Sequence, residues 1–429
     1  MMNQEIKYQA EYCLNCPTKP CSQKGCPLNN DIPAFIKEIK NENYKKAREI
    51  LEQTTVLPAI CGRICPHYKQ CMGSCVRGIK GEPVNIGELE AFIGDMSQKE
   101  TVPLGHVPQK ETVPLGHGPL RTVAIIGGGP AGLTVAAFLA RKGHKVTIYE
   151  KYNYLGGLLV HGIPEFRLPR TVIQKTIDKI LSLGIEVKYN QELGKNLSLS
   201  ELEKQYDYII LAFGANVSLK MGIEGENLKG VYGANELLEY NNHPDYHKKT
   251  VLVNGGGNVA MDVARTIKRL GAERVIVVYR RAKEHMSAEK KEIEDAINEG
   301  VEFLFQNNIV KIIGNQNDSK SNNTEKVEKV ELIKTKLIQK QGEPKPTPVN
   351  IDNSNYQIKA DYVVMAIGSH PSELTNTLGI EQNKNGYIKV NENGKTSHPK
   401  IYAIGDLAGN IQTVAWAAKS GREVARHLT

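Results

Sequence analysis

One pattern occurs twice in the chain. TVAIIGGGPAGLTVAAFLARKGHKVTIYE (122–150) and TVLVNGGGNVAMDVARTIKRLGAERVIVVYR (250–280) each run from an apolar strand through three glycines into an amphipathic helix, then a lone glycine and a second apolar strand. Gly127 recurs as Gly255 and Gly143 as Gly271, at one and the same offset. A change of period from two to 3.6, punctuated by glycine, predicts a complete βαβ unit in each copy. After each comes a further strand of buried type ending in Ala-x-Gly, DYIILAFGA (207–215) and DYVVMAIGS (361–369). The same pattern explains the run Val123 to Ala140, apolar enough to resemble a membrane span but holding four glycines and a proline.

In the first copy Gly127, Gly129 and Gly132 form G-x-G-x-x-G directly after the strand, with Pro130 and Ala131 inside the motif. The first glycine permits the turn, the second lets a pyrophosphate approach the backbone, and the third lets helix and strand pack closely. Glu150 ends the next strand, where a carboxylate accepts hydrogen bonds from a ribose diol. The second copy has Gly255, Gly257 and Ala260, with Asn258 opening the helix, and Arg280 and Arg281 stand where the first has its acid, with Lys283 close behind. Guanidinium groups there pair with a 2′-phosphate, which favours NADP(H) over NAD(H). One site is thus expected to hold a bound flavin and the other a diffusing nicotinamide nucleotide. Two further segments belong with the flavin reading, YLGGLLVHGIPEFRLP (154–169) and IYAIGDLAGNIQTVAWAAKSGREVARHL (401–428). Asp406, at a strand end, is placed either to bind a ribityl hydroxyl or to cap the helix beginning near Thr413, on which Trp416 reads as a packing residue.

All eight cysteines lie at 13, 16, 21, 26, 61, 65, 71 and 75. Their spacings suit metal ligands. Zinc, iron–sulfur clusters and redox-active dithiols are the alternatives, and a flavin in the same chain favours clusters, because a hydride pair must be passed on one electron at a time. The N-terminal MMNQEIKYQAEY has no apolar core of the kind a signal peptide needs, so a reducing, cytoplasmic setting is expected, which argues against disulfides. The surrounding segment is expected to be helical, for example over Ile32 to Leu51. QKETVPLGH then appears twice, carrying His106 and His117 at matching positions, and reads as a spacer rather than a metal site. Segment 314–348 reads as an exposed loop followed by an antiparallel hairpin. Net charge is +8, but its 55 basic and 47 acidic residues are interspersed, so neither nucleic acid nor membrane is an expected partner.

Gly127 to Glu150, GIPEFRLP, GGGNVAMD, YRR and IGD together resemble the small subunit of glutamate synthase. The same motifs are similar to the N-terminal half of dihydropyrimidine dehydrogenase and to the flavin-binding large subunit of NADH-dependent ferredoxin:NADP oxidoreductase. The resemblance implies FAD in the first site, touched also by Gly156, Gly157, Arg167, Gly405, Asp406 and Thr413. It implies NADP(H) in the second, with Ala366 to Gly368 lining the nicotinamide side. It also implies two [4Fe-4S] clusters whose ligands cross between the cysteine runs: Cys13, Cys16, Cys21 and Cys75 for one, Cys26, Cys65, Cys71 and Glu90 for the other. Cys61 is left over as a small buried neighbour.

The expected fold class is α/β, with two Rossmann-like dinucleotide-binding domains, one inserted in the other, preceded by a helical iron–sulfur domain. At roughly 150 residues per domain, 429 residues allow about three domains. The expected partition is 1–97 for the clusters, 98–120 as linker, 121–220 and 369–429 for FAD, and 221–368 for NADP. The expected activity is hydride transfer from NADPH to FAD and single-electron transfer through the clusters, with no catalytic side chain, to an electron-accepting partner in a hetero-oligomer. A glutamate synthase large subunit is the first candidate partner. The alternatives are a subunit of an electron-bifurcating ferredoxin/NADP transhydrogenase and a non-catalytic electron-transfer or scaffold subunit.

Overall fold

The computed structural model describes residues 4–99, 119–315, 325–340, 342–343 and 345–429. Residues 100–118, which hold most of the duplicated spacer with His106 and His117, lie outside the described residues, as does the polar start of the 314–348 segment at 316–324. The described chain divides into two compact units. One contains the residues up to Val160 with Glu165–Ala215 and Pro371–Thr429; the other contains His161–Pro164 and Asn216–His370.

In the first unit, five strands form a wholly parallel sheet in the order Ile401–Ala403, Tyr208–Leu211, Thr122–Ile126, Lys145–Tyr149, Glu186–Lys188. The order reverses at Thr122–Ile126, which makes the carboxyl end of that strand a topological switch point, the usual ligand crevice of such sheets. The Val123 to Ala140 run is this strand, the glycine turn and the helix Pro130–Arg141. No described helix is long and apolar enough to cross a membrane.

The N-terminal part of this unit is helical. Ile6, Phe35, Ile36, Ile39, Leu51, Leu89 and Ile93 form a buried cluster around it, each side chain contributing about 2 kcal/mol. The single helix expected over Ile32 to Leu51 is corrected to two, Ile32–Lys40 and Tyr44–Glu52. Glu42 takes a left-handed conformation (φ +57°), and the Asn43 side chain accepts a hydrogen bond from Lys46 N at 3.4 Å. A turn and a new N-cap thus interrupt an otherwise continuous apolar face. Helix Pro58–Ile64 lies tightly on Ile86–Lys99. A Cβ on Gly94 would come within 2.5 Å of Ala59 Cα, and one on Gly62 within 2.8 Å of Ala91 Cα, so glycine permits the approach.

The second unit repeats the parallel sheet in the order Val231–Gly233, Tyr362–Met365, Thr250–Asn254, Arg274–Tyr279, Glu302–Phe305. The long strand Val327–Ile338 pairs antiparallel with Thr347–Asn350, the expected hairpin. It pairs also with Asn307–Gly314 and Tyr356–Lys359, so the hairpin is part of a four-stranded antiparallel sheet.

Candidate functional site

The two glycine-led turns are built alike. Gly127 (φ +106°) and Gly255 (φ +151°) each follow the central strand of their sheet, and each lies under the carbonyl of the alanine that opens the Ala-x-Gly segment, Ala212 and Ala366. Those alanines donate their N–H groups to Ile126 O and Asn254 O, both at 2.8 Å. A side chain at either glycine would have to displace that carbonyl. The two Ala-x-Gly strands are therefore the neighbours that make the first glycine of each motif obligatory.

In the first unit Gly129 caps the helix Pro130–Arg141, with Pro130 in its first turn and Ala131 and Gly132 buried. A Cβ on Gly132 would collide with Gly127 O, so the third glycine provides the close helix–strand approach. The Gly156–Gly157 segment folds over the turn: Gly156 N donates to Gly128 O at 2.8 Å, and the nearest atom to a Cβ on Gly129 is Gly157 Cα at 3.9 Å. The Glu150 carboxylate is already engaged, Oε2 accepting from Gly128 N at 2.8 Å and Oε1 from Tyr152 N at 3.0 Å. Burial pushes its pKa up, and those N–H groups oppose the shift. Each oxygen retains a second lone pair for a ribose hydroxyl. Arg167 is half-buried.

Gly405 (φ +66°) places Asp406 in the turn Gly405–Ala408, and Gly405 N donates to Ser420 Oγ at 2.8 Å. Asp406 does not cap the final helix, Val414–Leu428; Thr413 does, accepting from Trp416 N at 3.4 Å. Asp406 Oδ1 is instead closed off from solvent with no hydrogen-bond partner, and burial pushes its pKa up to about 7. Buried polar atoms are nearly always paired, so this oxygen fits a hydroxyl supplied by a ligand. Together with the open face at Gly129, the residues present fit a flavin dinucleotide. Trp416 is half-buried, with Lys419 Nζ 4.5 Å from its ring centroid.

In the second unit Gly257 caps the helix Asn258–Arg269, Ala260 is fully buried, and Asn258 Oδ1 accepts from Glu289 N at 2.9 Å. Ser287, which sequence reasoning did not single out, donates its N–H to Gly256 O at 2.9 Å and its Oγ hydrogen at 3.3 Å. Nothing in its local sequence distinguishes it. Arg280 is exposed beyond the strand Arg274–Tyr279, whereas Arg281 is half-buried and gives its Nε–H to Pro346 O at 3.0 Å. Gly368 is at φ +127°.

The cysteines separate into two neighbourhoods. Cys13, Cys16, Cys21 and Cys75 line one cavity together with Ile32, Ile36 and Ile86. Burial pushes Cys21 up to about 11, followed by repulsion from Cys75 and Cys13. Arg77 adds a cation beside Cys13, its Nε–H donated to Tyr12 O at 2.8 Å. Cys26, Cys65 and Cys71 form the other neighbourhood, and Glu90 acts electrostatically on all three. Burial, then Glu90, push Cys26 up to about 12, and burial raises Glu90 itself to about 8. Fully ionised, such groups need a cation among them. Cys61 is buried and shares a hydrogen bond with Cys65. Among the described residues no three Cys, His, Asp or Glu side chains converge tightly enough to chelate one metal ion. A cluster is held differently, its thiolates spread over several irons, and the cysteines of these neighbourhoods are donors of the kind a 4Fe-4S cluster takes.

Two family models cover the chain: pyridine nucleotide-disulphide oxidoreductase over residues 121–421, and the dihydropyrimidine dehydrogenase domain II 4Fe-4S cluster domain over 1–102. The glutamate synthase [NADPH] small chain of Halomonas elongata is 34% identical over 438 residues, covering 98% of this chain and 89% of that one. The chain belongs to the glutamate synthase small-chain family. It is a flavin-dependent NAD(P) oxidoreductase with an N-terminal 4Fe-4S domain. Members of this family occur as subunits of larger oxidoreductases. The NADPH-Fe(3+) oxidoreductase subunit beta of Geobacter sulfurreducens is 36% identical over 378 residues, covering 86% of this chain and 53% of that one. Mycobacterium tuberculosis FprA in complex with NADPH shares the fold at a TM-score of 0.63, with 21% identity over 72% of this chain and 84% of that one.

Proposed function

We propose that this small-chain family member oxidises NADPH in its second unit, holds FAD in its first, and sends electrons through two [4Fe-4S] clusters to a partner subunit. A glutamate synthase large subunit is the first partner to test, given the Halomonas relative. When bound, the flavin takes up the hydride and the clusters carry its electrons onward singly. The chain's own residues bind and orient. The Gly127–Gly132 turn and the amide end of helix Pro130–Arg141 receive the pyrophosphate, Glu150 the adenosine ribose, and Asp406 a ribityl hydroxyl. Gly156, Gly157, Arg167, Gly405 and Thr413 complete that pocket. In the second unit Gly255, Gly257, Asn258 and Ala260 receive the other pyrophosphate, Ala366 to Gly368 border the nicotinamide, and Arg280 meets the 2′-phosphate with Arg281 held beside it.

On this reading residues 1–97 carry the clusters, 98–120 link, 121–220 and 369–429 carry FAD, and 221–368 carry the nicotinamide nucleotide. Cys13, Cys16, Cys21 and Cys75 hold one cluster; Cys26, Cys65, Cys71 and Glu90 hold the other. The observation that most supports it is the grouping of the thiols and Glu90 into two sets within the same compact unit as the first glycine-led sheet. Anaerobic titration tests the nucleotide assignment. NADPH should bleach the flavin at far lower concentration than NADH, and Arg280→Gln should weaken NADPH by about 10- to 100-fold while sparing NADH, as expected for a lost charge-assisted contact. Equal response to both nucleotides in the unsubstituted protein would overturn it.

A further inference from the structure

Arg422 lies on the last helix, Val414–Leu428, and is only 2% exposed. No acidic side chain forms an ion pair with it among the described residues. Its Nη1 donates instead to two backbone carbonyls of the helical N-terminal segment, Leu28 O at 2.5 Å and Thr54 O at 2.9 Å, and its Nε has no partner. A buried, unpaired guanidinium is costly and remains charged, so its retention calls for an anion nearby.

Two routes lead from Arg422 to the second donor set. Leu28, whose carbonyl it holds, directs its own N–H to the Cys26 sulfur, and Cys26 acts on the guanidinium electrostatically, after burial, Arg426 and the exposed Glu423. The other route is a hydrogen-bonded chain: Thr54 Oγ1 donates to Asn30 Oδ1 at 2.6 Å, and Asn30 Nδ2 donates to Glu90 Oε1 at 3.1 Å. Asn30 is fully buried. The same helix turn faces the flavin side through Ser420, which accepts from Gly405 N.

We propose that Arg422 is an electrostatic positioning residue that raises the reduction potential of the cluster held by Cys26, Cys65, Cys71 and Glu90. The proposal rests on the two-cluster reading above. Reducing that cluster adds one electron and one negative charge; the electrons come in pairs from NADPH, which leaves as NADP⁺ with release of one proton. A fixed buried cation stabilises the added charge and is little screened by salt. The exposed Arg426, one turn further on, is screened.

The test is an anaerobic redox titration of the holoenzyme followed by electron paramagnetic resonance, on the unsubstituted protein, Arg422→Gln and Arg422→Lys. Removing the charge should lower one cluster's midpoint. At the original midpoint its reduced-to-oxidised ratio should fall about tenfold, about 59 mV for a one-electron couple, with the other cluster unmoved. Arg422→Lys should restore most of the shift. Unchanged potentials in an iron-replete Arg422→Gln protein overturn the proposal. If Arg422→Gln loses iron, Arg422→Lys decides. A potential matching the unsubstituted protein supports the proposal, and a tenfold fall despite the retained charge assigns Arg422 a purely structural role. Failure of the two-cluster reading is seen separately, as about four rather than eight irons in the unsubstituted protein.

Discussion

Asp406 illustrates how much a single oxygen can be made to matter. Its carboxyl ordinarily titrates near 3.8, and burial in the fold pushes it up to about 7. The folded chain therefore binds this proton more tightly than the unfolded chain does. The resulting stabilisation is fully present below about pH 4 and is lost as pH rises towards 7. Protein stripped of FAD should lose stability between about pH 4 and 7, and Asp406→Asn should remove up to roughly 4 kcal/mol of that dependence. Chemical denaturation across the pH range measures it, and an unaltered slope in the variant would count against the assignment. Glu150 is shifted in the same direction and leaves some slope in both proteins. The motif made Asp406 legible, as one of two possibilities. Arg422 was not legible, because an arginine in an amphipathic helix reads as solvent-exposed, and its burial depends on Leu28 and Thr54, far away in sequence.

Among the elements, the final helix shows what local pattern cannot convey. It packs on Pro130–Arg141, and a Cβ on Gly421 would come 2.6 Å from Ala131 O and 3.1 Å from Val135 N. Gly421→Ala should therefore force the helices apart, costing about 1–3 kcal/mol. Because Pro130–Arg141 begins at the glycine turn proposed to receive the pyrophosphate, FAD occupancy after purification should fall together with the melting temperature; a fall in melting temperature with full occupancy would separate the two elements. The strands and glycine turns were readable because period, glycine spacing and strand ends agree at every level. The break at Glu42 was missed because the apolar face continues across it. Only the capping role of Asn43 marks the interruption, and Asn is common outside caps as well.

For the molecule as a whole, which thiols meet was legible only through the family resemblance and not through the spacing. Spacing alone offers two runs of four, whereas the fold brings Cys75 to Cys13 and Cys21, and Glu90 to Cys26, Cys65 and Cys71. The difference is measurable. Cys26→Ser combined with Cys71→Ser touches both runs but one neighbourhood, so iron and sulfide should drop from about eight to about four of each per chain. Loss of all eight would favour ligation run by run.

The first sheet also has a temporal consequence. Its edge strand Ile401–Ala403, the Asp406 turn and the helix bearing Arg422 all follow the second unit in the chain. A ribosome delivers them after the second unit is already complete. The second sheet can close while the first still waits for its fifth strand, so a nascent chain halted between 371 and 400 would hold one closed nucleotide-type sheet and a first sheet one strand short at the edge beside its glycine turn.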